Sequence, residues 1–202
     1  YVAVSQAMAV VTAAPFTVTA TIWQDTEGTS LYSAVVSDGA FSSGFRWPGF
    51  VLRYERAPNY LMGYAGNAAS PIEALSATNW SPAYAGRWVD VALAHDGTAA
   101  RLFVDGQQVA ISTNAFTASA QAELWIGRGH VNADRSYWQG AIDDMRIFRT
   151  ALGTNELAAV NEWTGDADGD GLDNGTEWQA GTDPRDTDSD DDGLNDYAEA
   201  VL

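Results

Sequence analysis

Two acidic segments near the end of the chain, within residues 165–202, place the strongest constraint on how it can fold. The first reads D-A-D-G-D-G-L-D-N-G-T-E from Asp166, and the second reads D-S-D-D-D-G-L-N-D-Y-A-E from Asp188. Each has acids at positions 1, 3 and 5, a glycine at position 6 and a glutamate at position 12, which is the ligand spacing of a calcium loop. Because so many carboxylates repel one another at close range, such a segment needs a hard cation to become compact.

This pattern predicts the ligands of two calcium ions. In the first loop they are Asp166, Asp168, Asp170, the carbonyl of Leu172, Asn174 and Glu177. In the second loop they are Asp188, Asp190, Asp192, the carbonyl of Leu194, Asp196 and Glu199. The alternative is a disordered acidic tail, because runs of like charge are usually solvated. The repeated Gly-Leu pair and the repeated final glutamate favour the loops.

The linker between the loops predicts their family. After Glu177 the segment W-Q-A-G-T-D-P leads to the second loop, and its glycine and proline stop a helix within about one turn. The loops and this G-T-D-P linker resemble bacterial thrombospondin type 3 repeats. That resemblance implies that Asp183 and Asp186 also contact the ions. A dockerin is the alternative, since its two loops lie about one such repeat apart.

The negative charge is concentrated in this tail. The 202-residue chain has a formal net charge of −17 at pH 7, of which residues 165–202 carry −12 and residues 1–164 carry −5. Nucleic acid and anionic membranes require a basic surface, so neither is expected as a partner. The chain has no cysteine, which excludes a disulfide framework.

The beginning of the chain predicts its origin. Residues 1–4 already read as a strand, without a preceding signal peptide, and no apolar run approaches the length of a membrane span. We therefore expect a fragment of a larger protein that is secreted or held at the cell surface. Calcium fits this location, because extracellular modules use weak sites at millimolar calcium.

Residues 1–162 predict an antiparallel β-sandwich. Apolar and polar residues alternate along 16–23, which is typical of a strand with one buried face. The dipeptides Asp96-Gly97 and Asp105-Gly106 favour type I′ hairpin turns. Many short strands followed by a single late helix, residues 154–161, indicate two stacked sheets. The calcium-binding repeat pair is expected to occupy residues 163–202.

Three segments of this body resemble the laminin G-like or concanavalin A-like lectin/glucanase superfamily. They are R-W-V-D-V-A-L-A-H-D-G-T-A-A-R-L-F-V-D-G-Q-Q-V from Arg87, L-W-I-G-R-G from Leu124, and W-Q-G-A-I-D-D-M-R-I-F-R-T-A-L from Trp138. The resemblance implies an all-β fold, an antiparallel two-sheet jelly-roll sandwich with a short C-terminal, calcium-bound, loop-rich appendage. This superfamily includes lectins, carbohydrate-binding modules, adhesion domains and some glycosidases, so the fold alone does not define the function.

Catalysis is not expected. A retaining glycosidase needs two carboxylates about 5 to 5.5 Å apart. In the glucanases that this superfamily includes, a strand with the pattern E-x-D-x-E supplies them. The chain has no segment with this pattern. The two histidines, His95 and His130, are not accompanied by a nucleophile motif. For His95 we expect a hydrogen-bonded structural role at the end of a strand.

Asp143 is a candidate ligand of a third calcium ion. On a regular strand its side chain lies in phase with Met145 and Ile147, along a row that faces the core. A buried carboxylate must be paired or bound to a metal, and similar jelly rolls often hold a structural calcium at a corresponding acid. The alternative is a salt bridge with Arg146 or Arg149.

Five residues are candidate glycan ligands. Aromatic rings in irregular segments can stack on the apolar face of a sugar, and arginines can bind carboxylate or sulfate groups in bidentate fashion. The candidates are Arg46, Trp47, Arg53, Trp80 and Tyr84. For each ring, packing within a loop is the alternative.

These observations together predict a non-catalytic extracellular module that binds polysaccharide, including acidic or sulfated chains. Its task would be to direct an attached secreted enzyme, or the cell, to that polysaccharide. A cell-adhesion or spacer domain that binds a cell-surface protein is the alternative. Other domains of the same parent chain are expected as partners in either case.

Overall fold

The computed structural model describes most of the chain and divides it into two compact units, Tyr1–Leu152 and Gly153–Leu202. The division lies before the expected boundary at residue 162. The described residues are 2–5, 13–25, 32–38, 48–56, 59–66, 75–78, 80–118, 123–129, 137–158, 160, 165–184, 186–190 and 192–201.

In its described residues, the first unit contains eleven strands and one short helix. The strands are β1 (Val2–Ser5), β2 (Phe16–Gln24), β3 (Tyr32–Ser37), β4 (Gly49–Glu55), β5 (Tyr60–Gly66), β6 (Leu75–Thr78), β7 (Trp88–His95), β8 (Ala99–Val104), β9 (Gln107–Thr113), β10 (Glu123–Ile126) and β11 (Gly140–Phe148). The helix α1 (Trp80–Tyr84) lies between β6 and β7. All named strand pairs are antiparallel.

These strands form two sheets, which confirms the predicted jelly-roll sandwich. The six-stranded sheet has the order β1-β10-β3-β4-β5-β6, and the five-stranded sheet has the order β11-β2-β7-β8-β9. One continuous core contains alternate apolar side chains of both sheets, such as Val18 and Leu93 from the smaller sheet and Leu52 and Leu124 from the larger. Burial of one such side chain contributes about 1.5–3 kcal/mol, so the alternating pattern stabilises the sandwich.

The two predicted hairpin turns differ in detail. Asp105 and Gly106 have φ angles of 46° and 70°, as a type I′ turn between β8 and β9 requires. Asp96 does not have a positive φ, because the connection between β7 and β8 is one residue longer and the Asp96 side chain closes it. Asp96 Oδ1 accepts hydrogen bonds from the N–H groups of Thr98 at 2.7 Å and Ala99 at 2.8 Å. The Arg101 guanidinium and these donors hold the pKa of Asp96 well below its usual range.

The part of the second unit that the structure describes contains three short helices, α2 (Thr154–Ala158), α3 (Asn174–Ala180) and α4 (Asp196–Val201). Helix α3 ends three residues after Glu177, as predicted from the linker, because Gly181 adopts a left-handed conformation with φ of 90°. Its N-cap Asp173 accepts a hydrogen bond from the Thr176 N–H at 2.9 Å. Within the described residues, the helices are too short or too polar to span a membrane.

Candidate functional site

The first acidic loop folds tightly around its own carboxylates. Asp166 accepts hydrogen bonds from the N–H groups of Gly169 at 2.7 Å and Gly171 at 3.1 Å, and Asp168 accepts one from Asp170 at 3.1 Å. The two glycines have φ angles of 82° and 106°, a region that other residues rarely adopt. Asp166, Asp168 and Asp170 each place one carboxylate oxygen within 4.8 Å of the others.

Glu177, at the end of this loop, has a buried side-chain carboxylate. Its side chain is fully buried, and neither of its oxygens has a partner among the described residues; the same holds for Asp168 Oδ2. Burial first, and then the charges of Asp168 and Asp170, raise the pKa of Glu177 to about 7. Buried carboxylates are normally paired or bound to metal. The residues present therefore fit a hard cation with oxygen ligands, such as calcium.

The second loop repeats the hydrogen bonds of the first. Asp188 Oδ2 accepts from the Gly193 N–H at 2.9 Å, as Asp166 does from Gly171. Asp188, Asp190 and Asp192 also place carboxylate oxygens within 4.8 Å of one another. The closing acid differs, however, because Glu199 is exposed. Its pKa is raised, mainly by the negative charge of Asp190.

The ninth residue of each loop braces the beginning of that loop. Asn174 Oδ1 accepts a hydrogen bond from the Ala167 N–H at 2.9 Å. In the second loop, Asp196 Oδ1 accepts one from the Ser189 N–H at 2.9 Å, and Oδ2 accepts one from the Ser189 hydroxyl at 2.6 Å. Asn174 and Asp196 thus each make a structural hydrogen bond within their loop. Their role as ion ligands stays a prediction.

The linker acids and the carbonyls of the two leucines stay predicted ion ligands. The Asp183 N–H donates to the Ser189 hydroxyl at 2.7 Å, and the Asp186 N–H donates to the Asp183 carbonyl at 2.9 Å. These bonds place both linker acids next to the start of the second loop. Leu172 is buried, whereas Leu194 is exposed. Their carbonyls remain predicted ligands.

The two loops are in direct contact with each other. The Tyr197 N–H, in the first turn of α4, donates to Asp170 Oδ2 at 2.8 Å. The side-chain amide of Asn195 donates to the Asp170 carbonyl at 3.4 Å. A Cβ atom added to Gly171 would lie 3.5 Å from the Tyr197 ring. The second repeat therefore helps to position an acid of the first.

Asp143 does not lie on the core-facing row that regular strand geometry predicts. The pairing of β11 with β2 shifts between Asp143 and Arg146, and Asp144 has a φ of 45°. This bulge adds a residue to β11. As a result, Ile142, which precedes the bulge, and Met145, which follows it, both pack on the core. Asp143 is exposed, and it accepts a hydrogen bond from the Asp144 N–H at 2.8 Å. The reason for predicting a third calcium there, burial of the carboxylate, is therefore absent.

Trp80 lies in the core, in contrast to its expected place in a binding loop. Its side chain is fully buried, and its indole N–H donates to the Gln24 side-chain carbonyl. The Tyr84 ring packs against it with 4.6 Å between centroids, and the Arg87 guanidinium lies 5.1 Å from the Tyr84 ring centroid. A ring enclosed in this way offers no face to a sugar. Trp80 is thus a packing residue of α1, and Tyr84 is half-buried beside it.

Arg53 lies on the outer face of the six-stranded sheet. Leu52 and Tyr54, its neighbours in β4, point into the core, so Arg53 points to the opposite face. It forms a salt bridge with Glu55, which also accepts a hydrogen bond from the Tyr60 hydroxyl at 2.8 Å. Arg46 and Trp47, the two other candidate ligands, lie outside the described residues.

A second group on the same sheet was not predicted from the sequence. The Arg128 guanidinium lies over the Trp125 ring at 4.5 Å from its centroid, and 5.8 Å from the centroid of the Tyr137 ring. Trp125 and Arg128 are close in the segment L-W-I-G-R-G, and that spacing was the available signal. Tyr137 is held near them by isolated bridges to Arg128 and to Ala34 of β3.

His95 has the structural role that was predicted for it. It is buried beside Phe16 and Phe116, with ring centroids 6.1 Å and 5.6 Å away. One ring nitrogen, Nδ1, accepts from the Gly97 N–H at 2.9 Å, so Nε2 carries the proton and donates to the Asn114 carbonyl at 3.0 Å. Burial lowers the pKa of His95 and keeps it neutral.

Solved structures of carbohydrate-binding modules and of laminin domains share this fold. The CBM40 of Ruminococcus gnavus IT-sialidase, bound to α2,3-sialyllactose, is 18% identical over 76% of this chain and 86% of its own, with a TM-score of 0.59. Domain 4 of AbnA, a GH43 extracellular arabinanase from Geobacillus stearothermophilus in complex with arabinotriose, is 19% identical over 73% and 66%, with a TM-score of 0.53. Domains LG4-5 of the mouse laminin alpha1 chain are 13% identical over 75% and 40%, with a TM-score of 0.52.

At these identities the likeness shows the fold alone. No curated protein sequence matches the chain. A laminin G-type family model, described as the concanavalin A-like lectin/glucanases superfamily, matches residues 1–158. That match covers the whole sandwich and agrees with its two-sheet topology. The chain therefore belongs to the concanavalin A-like lectin/glucanases superfamily.

Proposed function

We propose that the sandwich is a non-catalytic carbohydrate-binding module of an extracellular protein. The observation that carries this proposal is the likeness to modules solved with bound sugar, over 86% of the sialidase module and 66% of the arabinanase domain. Glu55, in the described part of the larger sheet, forms a salt bridge with Arg53 and accepts a hydrogen bond from the Tyr60 hydroxyl. The module would direct an attached enzyme or a cell surface to polysaccharide.

A binding screen tests this proposal. The complete chain, in millimolar calcium, is titrated by calorimetry with neutral, uronic and sulfated oligosaccharides, and the titrations are repeated with a chelator. Saturable binding of at least one class supports a carbohydrate-binding module. Absence of binding across the panel would contradict it and favour the adhesion or spacer function. Release of reducing ends from any bound oligosaccharide would contradict the non-catalytic assignment.

We also propose that the acidic loops bind two calcium ions. Support comes from Glu177, whose buried oxygens have no hydrogen-bond partner among the described residues and whose pKa is raised by burial and by the negative charges of aspartates. The hydrogen-bond pattern shared with the second loop extends the proposal to that loop. Bound calcium would supply positive charge that offsets the repulsion among the carboxylates of each loop. Because the loops are otherwise self-repelling, ion binding would contribute directly to folding free energy.

A matched pair of glutamate variants tests the calcium proposal. In Glu177→Gln the neutral amide should remove the ion of the first loop, and calorimetric stoichiometry should fall from two ions to one. Glu156→Gln changes an exposed glutamate outside both loops and should retain two ions. An unchanged stoichiometry in Glu177→Gln, or no calcium binding by the unmodified chain, would contradict the proposal.

A further inference from the structure

The second repeat covers one side of the first acidic loop. At loop position 5, Asp170 Oδ2 accepts a hydrogen bond from the Tyr197 N–H at 2.8 Å, and the Asp170 carbonyl accepts one from the Asn195 side-chain amide at 3.4 Å. At position 6, a Cβ atom added to Gly171 would lie 3.5 Å from the Tyr197 ring. Leu172, at position 7, is only 8% exposed. The start of α4 therefore lies against positions 5 and 6 of the first loop.

The same three positions of the second loop face solvent. Asp192 Oδ1 accepts a hydrogen bond from the Leu194 N–H at 2.9 Å, and the corresponding bond in the first loop measures 2.7 Å. Among the described residues, however, no hydrogen bond reaches Asp192 Oδ2, and no atom lies within 4 Å of a Cβ added to Gly193. Leu194 is 46% exposed. The second loop thus has the backbone of the first without its cover.

The loops themselves do not account for this difference. Both have acids at positions 1, 3 and 5 followed by Gly-Leu, and their glycines at position 6 have similar φ angles, 106° for Gly171 and 96° for Gly193. The closing glutamates nevertheless differ in the same direction, because Glu177 is fully buried and Glu199 is exposed. Within the described residues, only the first loop is followed by another repeat that lies against it.

We propose that Asp192, Gly193 and Leu194 form a docking surface for a further acidic repeat of the same kind, held in line after the second. This inference rests on the proposed calcium binding and adds a partner to the repeat pair. The contact between the existing repeats defines the occupant. It must place a backbone N–H on Asp192 and an aromatic ring against Gly193, as Tyr197 does on the first loop.

Negative charge does not exclude such a partner. Residues 165–202 carry −12, and the two repeats are nevertheless in contact. The contact joins a carboxylate to an N–H group in the first turn of a helix, where the backbone carries partial positive charge. A ring against a glycine adds apolar contact without charge. Bound calcium in each loop would reduce the remaining repulsion.

Thiol labelling of an extended chain tests this inference. The chain has no cysteine, so Leu194→Cys introduces a single thiol. A copy of residues 181–202 is appended after Leu202, which keeps the offset between successive loops. In calcium, a maleimide should react with this thiol about tenfold more slowly in the extended chain than in the unextended one, because a hydrogen bond to a charged group must open first. Leu172→Cys in the unextended chain gives the rate of a covered thiol.

A matched extension separates docking from charge. Its added repeat has proline at the position of the tyrosine, which removes the N–H and the ring, is tolerated in the first turn of a helix, and keeps length and charge. The Leu194→Cys thiol should then lose most of its protection. Equal rates in the two extended chains would overturn this inference, as would equal rates for Leu172→Cys and Leu194→Cys in the unextended chain.

Calorimetry separates failure of this inference from failure of the proposed calcium binding. The unextended chain should bind two calcium ions and the extended chain three. If the unextended chain binds two and the thiol rates show no docking, only this inference is wrong. The same holds if the extended chain binds no third ion. If the unextended chain binds fewer than two ions, both proposals are wrong.

Discussion

Burial fixes the protonation state of His95. The Nδ1 atom accepts one backbone hydrogen bond, which requires the neutral ring, and Nε2 donates another. Protonation would leave Nδ1 without its acceptor function and place a charge among aromatic rings. This single residue therefore links the stability of the sandwich to pH.

The free energy of unfolding should fall as the pH decreases from 7 to 5. The pKa of His95 is lowered in the folded chain, so below its ordinary value of about 6.5 the unfolded chain binds a proton that the folded chain does not. Urea unfolding in calcium, followed by tryptophan fluorescence, measures this slope. His95→Gln should be less stable throughout but should show a smaller slope. Equal slopes in the two proteins would contradict the prediction.

At the level of elements, the junction of β11 with β2 depends on a glycine. Gly140 has a φ of 136°, and an added Cβ would lie 1.9 Å from the Trp23 carbonyl oxygen. Gly97, in the turn after β7, has a φ of 106° but has no atom within 4 Å of an added Cβ. An alanine at Gly97 would therefore add conformational strain alone, whereas an alanine at Gly140 would add both strain and steric overlap.

Gly140→Ala should therefore destabilise the sandwich more than Gly97→Ala. The turn variant should lose about 1 to 3 kcal/mol through strain alone. In Gly140→Ala the added Cβ also clashes with backbone that cannot move without breaking the β11–β2 pairing. We therefore expect a larger loss of unfolding free energy for this variant. Denaturant unfolding of both variants measures the difference. Equal losses would show that β11 shifts at little cost.

Contacts between the repeats predict that their ions bind in a coupled way. The Tyr197 N–H in α4 helps to orient Asp170 of the first loop. Asp188→Asn combined with Asp190→Asn should remove the second ion and loosen α4. Because a hydrogen bond to a charged group is lost, the remaining ion should bind about tenfold more weakly. Calorimetry measures this affinity, with Asp25→Asn as a control on the sandwich. A remaining site of unchanged affinity would show that the loops are independent.

For the whole molecule, the uneven distribution of charge predicts two different responses to chelation. Residues 165–202 carry −12 of the net charge, whereas residues 1–164 carry −5 around a continuous apolar core. Removal of calcium should disorder the tail through repulsion and leave the sandwich folded. Limited proteolysis with and without a chelator should show cleavage within the tail only under chelation. Equal resistance in both conditions would contradict a structural role for the ions.

Much of the fold was predictable because it depends on local patterns. Alternation of apolar residues along 16–23 predicted β2 close to its observed limits, Phe16–Gln24. Two elements without such a signal, β6 and α1, were not predicted, since they are short and packing against the rest of the sandwich determines them. The candidate site was less predictable, as the burial of Trp80 and the bulge after Asp143 show.

The sequence by itself determined the features that involve neighbouring residues. These are the strand periodicity, the hairpin at Asp105-Gly106, the end of α3 at Gly181, and two acidic loops with the same spacing of acidic residues and glycine. Tertiary structure alone decided which side chains face outward and which distant ones meet. Trp125 and Arg128 form a group with Tyr137 because isolated bridges link Tyr137 to Arg128 and to Ala34 of β3. Backbone preferences act over a few residues, whereas burial and contact across sheets depend on how the whole chain packs.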